Sequence, residues 1–500
     1  MRKMCSRVSS LISSAPLNAL DAVDSDTFAN RASSVIVIAL TSPPLYSTFF
    51  IGQLFRKCFV AIRVEKCFRM RYSEREVFSL NTKKGIQRGQ IAYIIQAALE
   101  YLVALLVSGS FLATLTNELG FSDSLTGIVS AIISLGCLFQ MLTVLVRRRI
   151  KSKVIVYSFA CQILFLILYV IPLTGAPKPI KTAAFVAAIV LAYLIYNMIH
   201  PRKINWLMRS VADGKRGSFT ATKEIVSLAS GMAFSFGMGE LVDYFAEQGR
   251  VRVAFVLCAV VIFVLMIAHA VSLFFVPAEE EQVEHRSIRK GFALLMSNKN
   301  LRASVTVSVL YNVAAFAFRP FLGSYNIKEM GFSLGFVAVL SIVSSISRIA
   351  VSHRWGRYAD RRGFADMVEK CFLVLGVSWV FMGLATPSNA TWMFIVAYVF
   401  SGAAMGGINS SMMNLIYDYV PREQCADAIA VTQAVSGVAG FVTTLVVSPL
   451  VTYVQGEGNR LFGIPIYAQQ VLAAVGVLIL VVAAAFTRVV LIRKGKTTTI

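Results

Sequence analysis

Twelve apolar stretches decide most of what this 500-residue chain can fold into. Each is close to the roughly 20 residues an α-helix needs to cross the hydrocarbon core of a bilayer. The first six lie at about 91–115, 124–146, 154–173, 182–200, 222–243 and 253–276. The second six lie at about 303–325, 333–352, 367–385, 392–417, 427–454 and 468–490. Loop chemistry separates them, as at Gly175-Ala176-Pro177 and Gly456-Glu457-Gly458-Asn459. Hydrophobic residues make up 57% of the chain and charged residues 15%, with a mean hydropathy of +0.69. A soluble domain carries about 25% charged residues, and a disordered chain is poor in apolar ones, so both are excluded.

The net charge of +22 raises nucleic acid as a partner, but the location of the charges argues otherwise. Lys and Arg in a span's end turn are counted here with the adjoining break. Twenty-six then fall in alternate breaks and the C-terminal tail, six in the other breaks, and fourteen before residue 91. Arg319 and Arg348 remain inside spans. That asymmetry is the positive-inside pattern with both termini in the cytoplasm. The expected partners are therefore the lipid bilayer and a small solute, not nucleic acid. The eight cysteines are scattered, with no CxxC pair, and read as small buried hydrophobes. Four histidines without ligand spacing give no metal site, and no cofactor is expected.

Residues 1–89 form a basic extension. Its apolar run 35–51 is short and interrupted by Pro43-Pro44, which argues against a full span. Asp21, Asp24 and Asp26 fit a secretory signal poorly. Two readings stay open: a start near Met70 or Val77, or a disordered or surface-lying tail.

The chain repeats itself. Glu118-Leu-Gly-Phe-Ser122 recurs as Glu329-Met-Gly-Phe-Ser333, and Ser227-Leu-Ala-Ser-Gly231 lines up with Ser436-Gly-Val-Ala-Gly440. Both pairs sit at nearly one offset and at matching places in the two halves. This predicts an all-α membrane protein of two six-helix bundles, residues 90–276 and 303–492. A linker, 277–302, and a cytoplasmic tail, 493–500, complete it. The linker contains an amphipathic stretch, 288–296, suited to lying along the inner surface.

Between spans eight and nine stands Gly356-Arg-Tyr-Ala-Asp360-Arg361-Arg-Gly363. It matches the G-x-x-x-D-R-x-G motif of the major facilitator superfamily, which the chain resembles over residues 90–493. The resemblance implies secondary transport by alternating access, with two bundles rocking about a central site. It implies gating roles for Asp360 and Arg361, and close helix approach or a tight turn at Gly356 and Gly363. The chain departs from the family in three places. The first-half loop Arg147–Lys153 lacks the motif's Asp and both glycines, span four lacks Arg-x-x-Gln-Gly, and span five lacks a Gly-Pro pair. These absences lower drug/proton antiport without excluding other efflux.

In that superfamily spans one, four, seven and ten line the cavity. Their polar stripes here offer Gln96 and Glu100; Tyr193, Tyr196, Asn197 and His200; Ser304, Ser308, Asn312 and Arg319; and Tyr398, Ser401 and Asn409. The plainer role open to each is an interhelical hydrogen bond. Charges deep in a span normally face a cavity or a partner. Glu100 is the candidate proton carrier, and Arg319 is either an anion ligand or the counter-ion of Glu100. His269 reads as packing. Arg348 reads as a support for the motif loop, and Arg209 and Asp418 as gate partners.

Enzyme readings find no residues. The tail Gly495-Lys496-Thr497 lacks a phosphate loop's upstream glycine, and neither G-x-S-x-G nor HExxH occurs. The sequence is read as a monomeric, multi-pass secondary transporter of a bacterial cytoplasmic membrane, proton-coupled. An efflux permease or uniporter on the same scaffold is the alternative, and a non-transporting receptor a more distant one.

Overall fold

Backbone in hydrocarbon must satisfy its own N–H and C=O groups, so uninterrupted apolar runs become helices. The computed structural model describes residues 83–136, 138, 150–208, 211, 216–276, 288–417, 420 and 424–493. Residues 1–82 of the N-terminal extension, Arg147–Arg149 of the first-half basic loop, Arg209 and Asp418 lie outside the described residues, while 83–89 and 150–153 are the starts of helices.

The first six spans are Lys83–Leu106 with Gly109–Glu118, Asp123–Ala131 with Ile132–Leu135, Ile150–Val170, Lys178–Met208, Arg216–Glu247 and Val251–Phe274. A linker helix, Ile288–Ser297, precedes the second six. These are Lys299–Phe318 with its continuation to Glu329, Leu334–Arg362, Phe364–Gly383, Ala390–Tyr417, Cys425–Gly456 and Ala468–Phe486. Two-residue strands, Arg460–Leu461 and Ile464–Pro465, form a hairpin before the last span. Helix therefore stands at all twelve expected places, and among the described residues ten helices are long and apolar enough to cross a membrane. Asp123–Leu135 is a shorter apolar helix, and Phe364–Gly383 carries Asp366, Glu369 and Lys370 in its first turns.

Each half packs its own apolar core. Leu106, Leu115, Leu168, Phe185, Ile189 and Ile262 are fully buried in the first, and Phe318, Phe321, Phe372, Phe394, Leu472 and Leu480 in the second. After twelve passes Arg493 returns to the face from which Lys83 set out; this face is called proximal and the opposite one distal.

At the distal face the halves are tied together. Ser122 and Ser333, repeat equivalents, each cap a helix start by accepting from Leu125 N–H and Phe336 N–H at 3.2 and 3.1 Å. Next to Ser122, the buried Asp123 accepts from Lys328 Nζ at 2.6 Å, Gln455 Nε2 at 2.7 Å and Gln469 Nε2 at 3.4 Å, all in the other half. At the equivalent start of span eight, Asp243 of the first half accepts from Leu334 and Gly335 N–H at 3.0 and 2.7 Å.

Two spans depart from the continuous helices expected. Span one stops at Leu106 and resumes at Gly109, whose φ of +55 lies in the left-handed region that glycine enters at low cost. Span seven tightens into a 3-10 turn over Arg319–Phe321, because Pro320 has no N–H to continue the ladder. A wide π turn follows at Tyr325–Glu329.

Candidate central cavity and side chamber

The two breaks are repeat equivalents: Ser108 shifted by the offset of 211 is Arg319. They face one another so closely that a Cβ on Gly323 would lie 2.7 Å from the Gly109 carbonyl oxygen. Between them opens a cavity of about 420 Å³. Ser108, Ser110, Ser130, Ser235, Arg319, Asn326, Ser341 and Tyr398 supply its polar wall, and no acidic side chain among the described residues lines it. Arg319 is exposed to this space and has no ion-pair partner among the described residues. Asn326 is buried beside Tyr398, and its Oδ1 has no hydrogen-bond partner among the described residues. A guanidinium held over a polar wall can bind an oxyanion through two parallel N–H donors.

Glu100 does not meet Arg319. Its Oε1 pairs with the ammonium of Lys203, a side chain only 1% exposed, and its Oε2 accepts from Gln96 Nε2 at 2.5 Å. Gln96 Nε2 also lies 2.9 Å from Nε2 of His269. The expected Glu100–Arg319 pair is thus replaced by a Glu100–Lys203 pair inside the first half. The reason is local: the fourth span does not end near residue 200 as expected but runs through Pro201 to Met208 and carries Lys203 inward. His269, expected as packing, is a buried member of this charged cluster.

Beside the pair lies another, smaller space of about 110 Å³, lined by Glu100, Ser158, Gln162, Tyr193, Tyr196 and His269 among others. Ser108 and Ile133 border both spaces. Lys203 Nζ also sits 5.5 Å over the Tyr196 ring.

A family model described as Major Facilitator Superfamily matches residues 92–444. The chain belongs to the Major Facilitator Superfamily. Superfamily structures with the same fold include a point mutant of the nucleoside transporter NupG, at TM-score 0.63 and 15% identity, covering 80% of this chain and 98% of that one. They also include a D-xylose-proton symporter, at TM-score 0.61 and 13% identity, covering 80% and 97%. A bacterial homologue of the lysosomal transporter Spinster matches at TM-score 0.60 and 11% identity, covering 81% and 97%. A "Na(+), Li(+), K(+)/H(+) antiporter" of Planococcus maritimus is 25% identical over 158 residues. That match spans 31% of this chain and only 35% of the antiporter. Family and fold are those of a multi-pass membrane transporter rather than an enzyme.

The superfamily's cavity helices distribute their polar residues unevenly here. Arg319 and Tyr398 line the central cavity, while Glu100, Tyr193 and Tyr196 line the side chamber. Gln96 serves the charged cluster instead. Asn197 and Asn312 donate to the carbonyls four residues back, Tyr193 O at 2.8 Å and Ser308 O at 2.9 Å, and neither lines either of these two spaces. Asn409 is exposed away from both spaces.

In the superfamily motif, Gly363 makes the tight turn expected, at φ +91 between spans eight and nine. Gly356 meets no neighbour within 4 Å, so no close helix approach depends on it. Asp360 and Arg361 are exposed without an ion-pair partner among the described residues. The loop is braced by Asp366, which accepts from the Tyr358 hydroxyl. Arg348 does not serve this loop: it reaches across to the other half and pairs with Glu224 at 2.6 Å.

Sequence reasoning missed Lys203 and Asp123. Lys203 lies just past the expected end of span four at residue 200 and was counted with the basic break. Asp123 has the signature of an ordinary acidic first-turn residue favoured by the helix dipole.

Proposed function

We propose that the chain carries a small solute across a bacterial cytoplasmic membrane by alternating access, with proton movement through the Glu100 cluster as the driving force. The observation that carries this reading is the pair of equivalent helix breaks around one cavity, at Ser108-Gly109 and Arg319-Pro320. Interrupted helices in corresponding positions of two repeats are the architecture of a transporter's binding site. The cavity volume suits an organic solute, since small-molecule sites run from about 300 to 1,000 Å³. Arg319 and Tyr398 are the substrate contacts in this reading, and Tyr193 and Tyr196 belong to ion coupling. The residue blocks 90–276 and 303–492 are the two rocking bodies, joined by 277–302, in a monomer. Asp360 and Arg361 act at the proximal gate. The Lys and Arg asymmetry supports a cytoplasmic proximal face.

A different reading, efflux by cation/proton exchange, draws on the name of the partial antiporter relative. One experiment addresses both. The purified protein in liposomes is given an inward proton gradient, and internal pH is followed against sugars, nucleosides, organic anions, cationic dyes and alkali cations. Solute-dependent proton flux is expected, and Glu100→Gln should abolish uphill transport while keeping solute exchange. Uphill transport that survives Glu100→Gln removes Glu100 as the carrier.

A further inference from the structure

On the wall of the central cavity, span seven presents a charge and a polar atom that the fold itself does not use. The charge is Arg319, exposed to the space with no acidic side chain among the described residues beside it. The polar atom is Oδ1 of Asn326, a wall residue only 2% exposed, whose side-chain oxygen has no hydrogen-bond partner among the described residues. The rest of Asn326 is engaged. Its backbone carbonyl accepts from Phe332 N–H at 2.9 Å, and its amide group meets the Tyr398 hydroxyl. A buried acceptor left over in a ligand-sized cavity is costly until a donor reaches it.

The two groups are not side by side. Arg319 and Asn326 stand seven positions apart on span seven, nearly two helical turns, and Tyr398 of span ten faces both. Apolar wall separates the polar points, with Leu105, Phe111, Ile133 and Phe316 among its residues. A solute that satisfies both groups therefore carries its oxyanion and its donor at different places on an organic skeleton.

We propose that the central cavity selects organic monoanions that carry a neutral O–H or N–H donor several bonds away from the oxyanion, with Asn326 reading that donor. The inference names the substrate class of the transport site and rests on the transport reading. Charge sets the first criterion. One guanidinium compensates one negative charge, held through paired N–H donors, and a dianion would bring a second charge that meets no cation on this wall. A cationic solute would meet Arg319 with no carboxylate to offset the repulsion, and a neutral one would leave the guanidinium unpaired. The donor is the second criterion. A site built to hydrogen-bond a ligand hydroxyl or N–H rejects the analogue that lacks it, because the site's own polar group is then left unpaired. An inorganic oxyanion satisfies Arg319 alone and leaves most of the 420 Å³ unfilled.

The test uses the full chain in detergent and follows melting temperature against ligand concentration, since a ligand of the folded state raises it by mass action. The probes share one skeleton: γ-hydroxybutyrate, butyrate, succinate and γ-hydroxybutyramide, together with the six-carbon counterparts of each, all at constant ionic strength. A hydroxy acid from one of the two sets should stabilise saturably. The matching plain acid, diacid and amide should each bind at least about tenfold more weakly. Asn326→Leu should bring hydroxylated and plain acids to equal affinity, a change of ratio that a merely structural role for Asn326 would not produce. Asn326→Ser guards against a variant that fails to fold: it stays polar but is too short to reach the donor, and it should narrow the same ratio. Arg319→Gln should erase the preference for acid over amide while keeping that for the hydroxyl. Equal binding of hydroxylated and plain acids by the wild type overturns the proposal, as does a ratio unchanged in both Asn326 variants. Tighter binding of the diacid or the amide, or no stabilisation by any probe, also overturns it. In liposomes, carriage confined to cations or neutral solutes would overturn this assignment and leave the transporter reading intact. Selective binding of the hydroxy acid without movement across the bilayer would do the reverse.

Discussion

Arg319 and Lys203 are two cations within the spans with opposite circumstances, one exposed to the cavity and one buried, and that difference sets what substitution does to each. Lys203 has its carboxylate; Arg319 has none among the described residues and faces open cavity. Arg319→Gln should therefore leave the fold intact. It should lower equilibrium binding of a solute that carries a carboxylate or phosphate by at least about tenfold, or ~1.4 kcal/mol. Isothermal titration with the solute found in the liposome panel checks this, and unchanged binding would take Arg319 out of the solute site. Glu100→Ala is a different case, because it strands a buried ammonium. Losing one partner of a buried pair costs about 3–5 kcal/mol. A clear fall in thermal stability is expected, and Glu100→Gln should fall less because an amide oxygen still accepts from Lys203. Of these residues, Glu100 and Arg319 were legible in the sequence as charges inside apolar runs. Their partnership was not, because sequence distance says nothing about which of several cations a carboxylate reaches, and with span four read as 182–200 Lys203 fell among the charges of the following break.

Among the elements, the helices themselves were legible and their interruptions were not. Apolar length identifies a span whether or not its ladder is continuous, so 91–115 and 303–325 read as ordinary crossings. The signals of interruption were present as Ser108-Gly109 and Arg319-Pro320, one repeat offset apart. Gly109→Ala tests the first break. No side chain stands within 4 Å of the added methyl group, so the cost is conformational alone. An L-residue in the left-handed region costs about 1–2 kcal/mol. A drop in melting temperature of a few degrees is expected, with a larger proportional loss of transport rate if the break must hold its shape through the cycle. A wild-type melting temperature would mean that the segment has relaxed into a continuous helix.

At the scale of the whole molecule, the halves are asymmetric in how they are tied. Asp123 collects donors from three helices of the second half, and Asp243 caps span eight from the first, so the distal face is closed by carboxylates at equivalent helix starts. Nearer the proximal face, Arg348–Glu224 is the cross-half ion pair among the described residues. Asp123→Asn removes the charge that holds Lys328 but keeps the shape. It should shift the population toward a distal-open form, read as faster alkylation of a cysteine placed at Ser130 by a membrane-impermeant maleimide added from the distal side. An unchanged alkylation rate would mean that the remaining contacts, such as Ser124 with Ser448, suffice to hold the face shut. The repeat was legible as Glu118–Ser122 against Glu329–Ser333, which sit at these helix starts. That the neighbouring residues bind across the halves was not, since a first-turn aspartate needs no partner beyond its own helix.

The lone guanidinium of Arg319 also has an electrical consequence. Moving one elementary charge through the full membrane field changes its energy by about 2.3 kcal/mol per 100 mV. The Glu100–Lys203 pair, being neutral, feels almost none of this when the bundles rock. Arg319 feels whatever fraction of the field it crosses, and an anionic solute bound to it cancels that force. The empty carrier would then return under voltage while the loaded carrier moves without it, so the membrane potential would act on the half of the cycle in which nothing is carried.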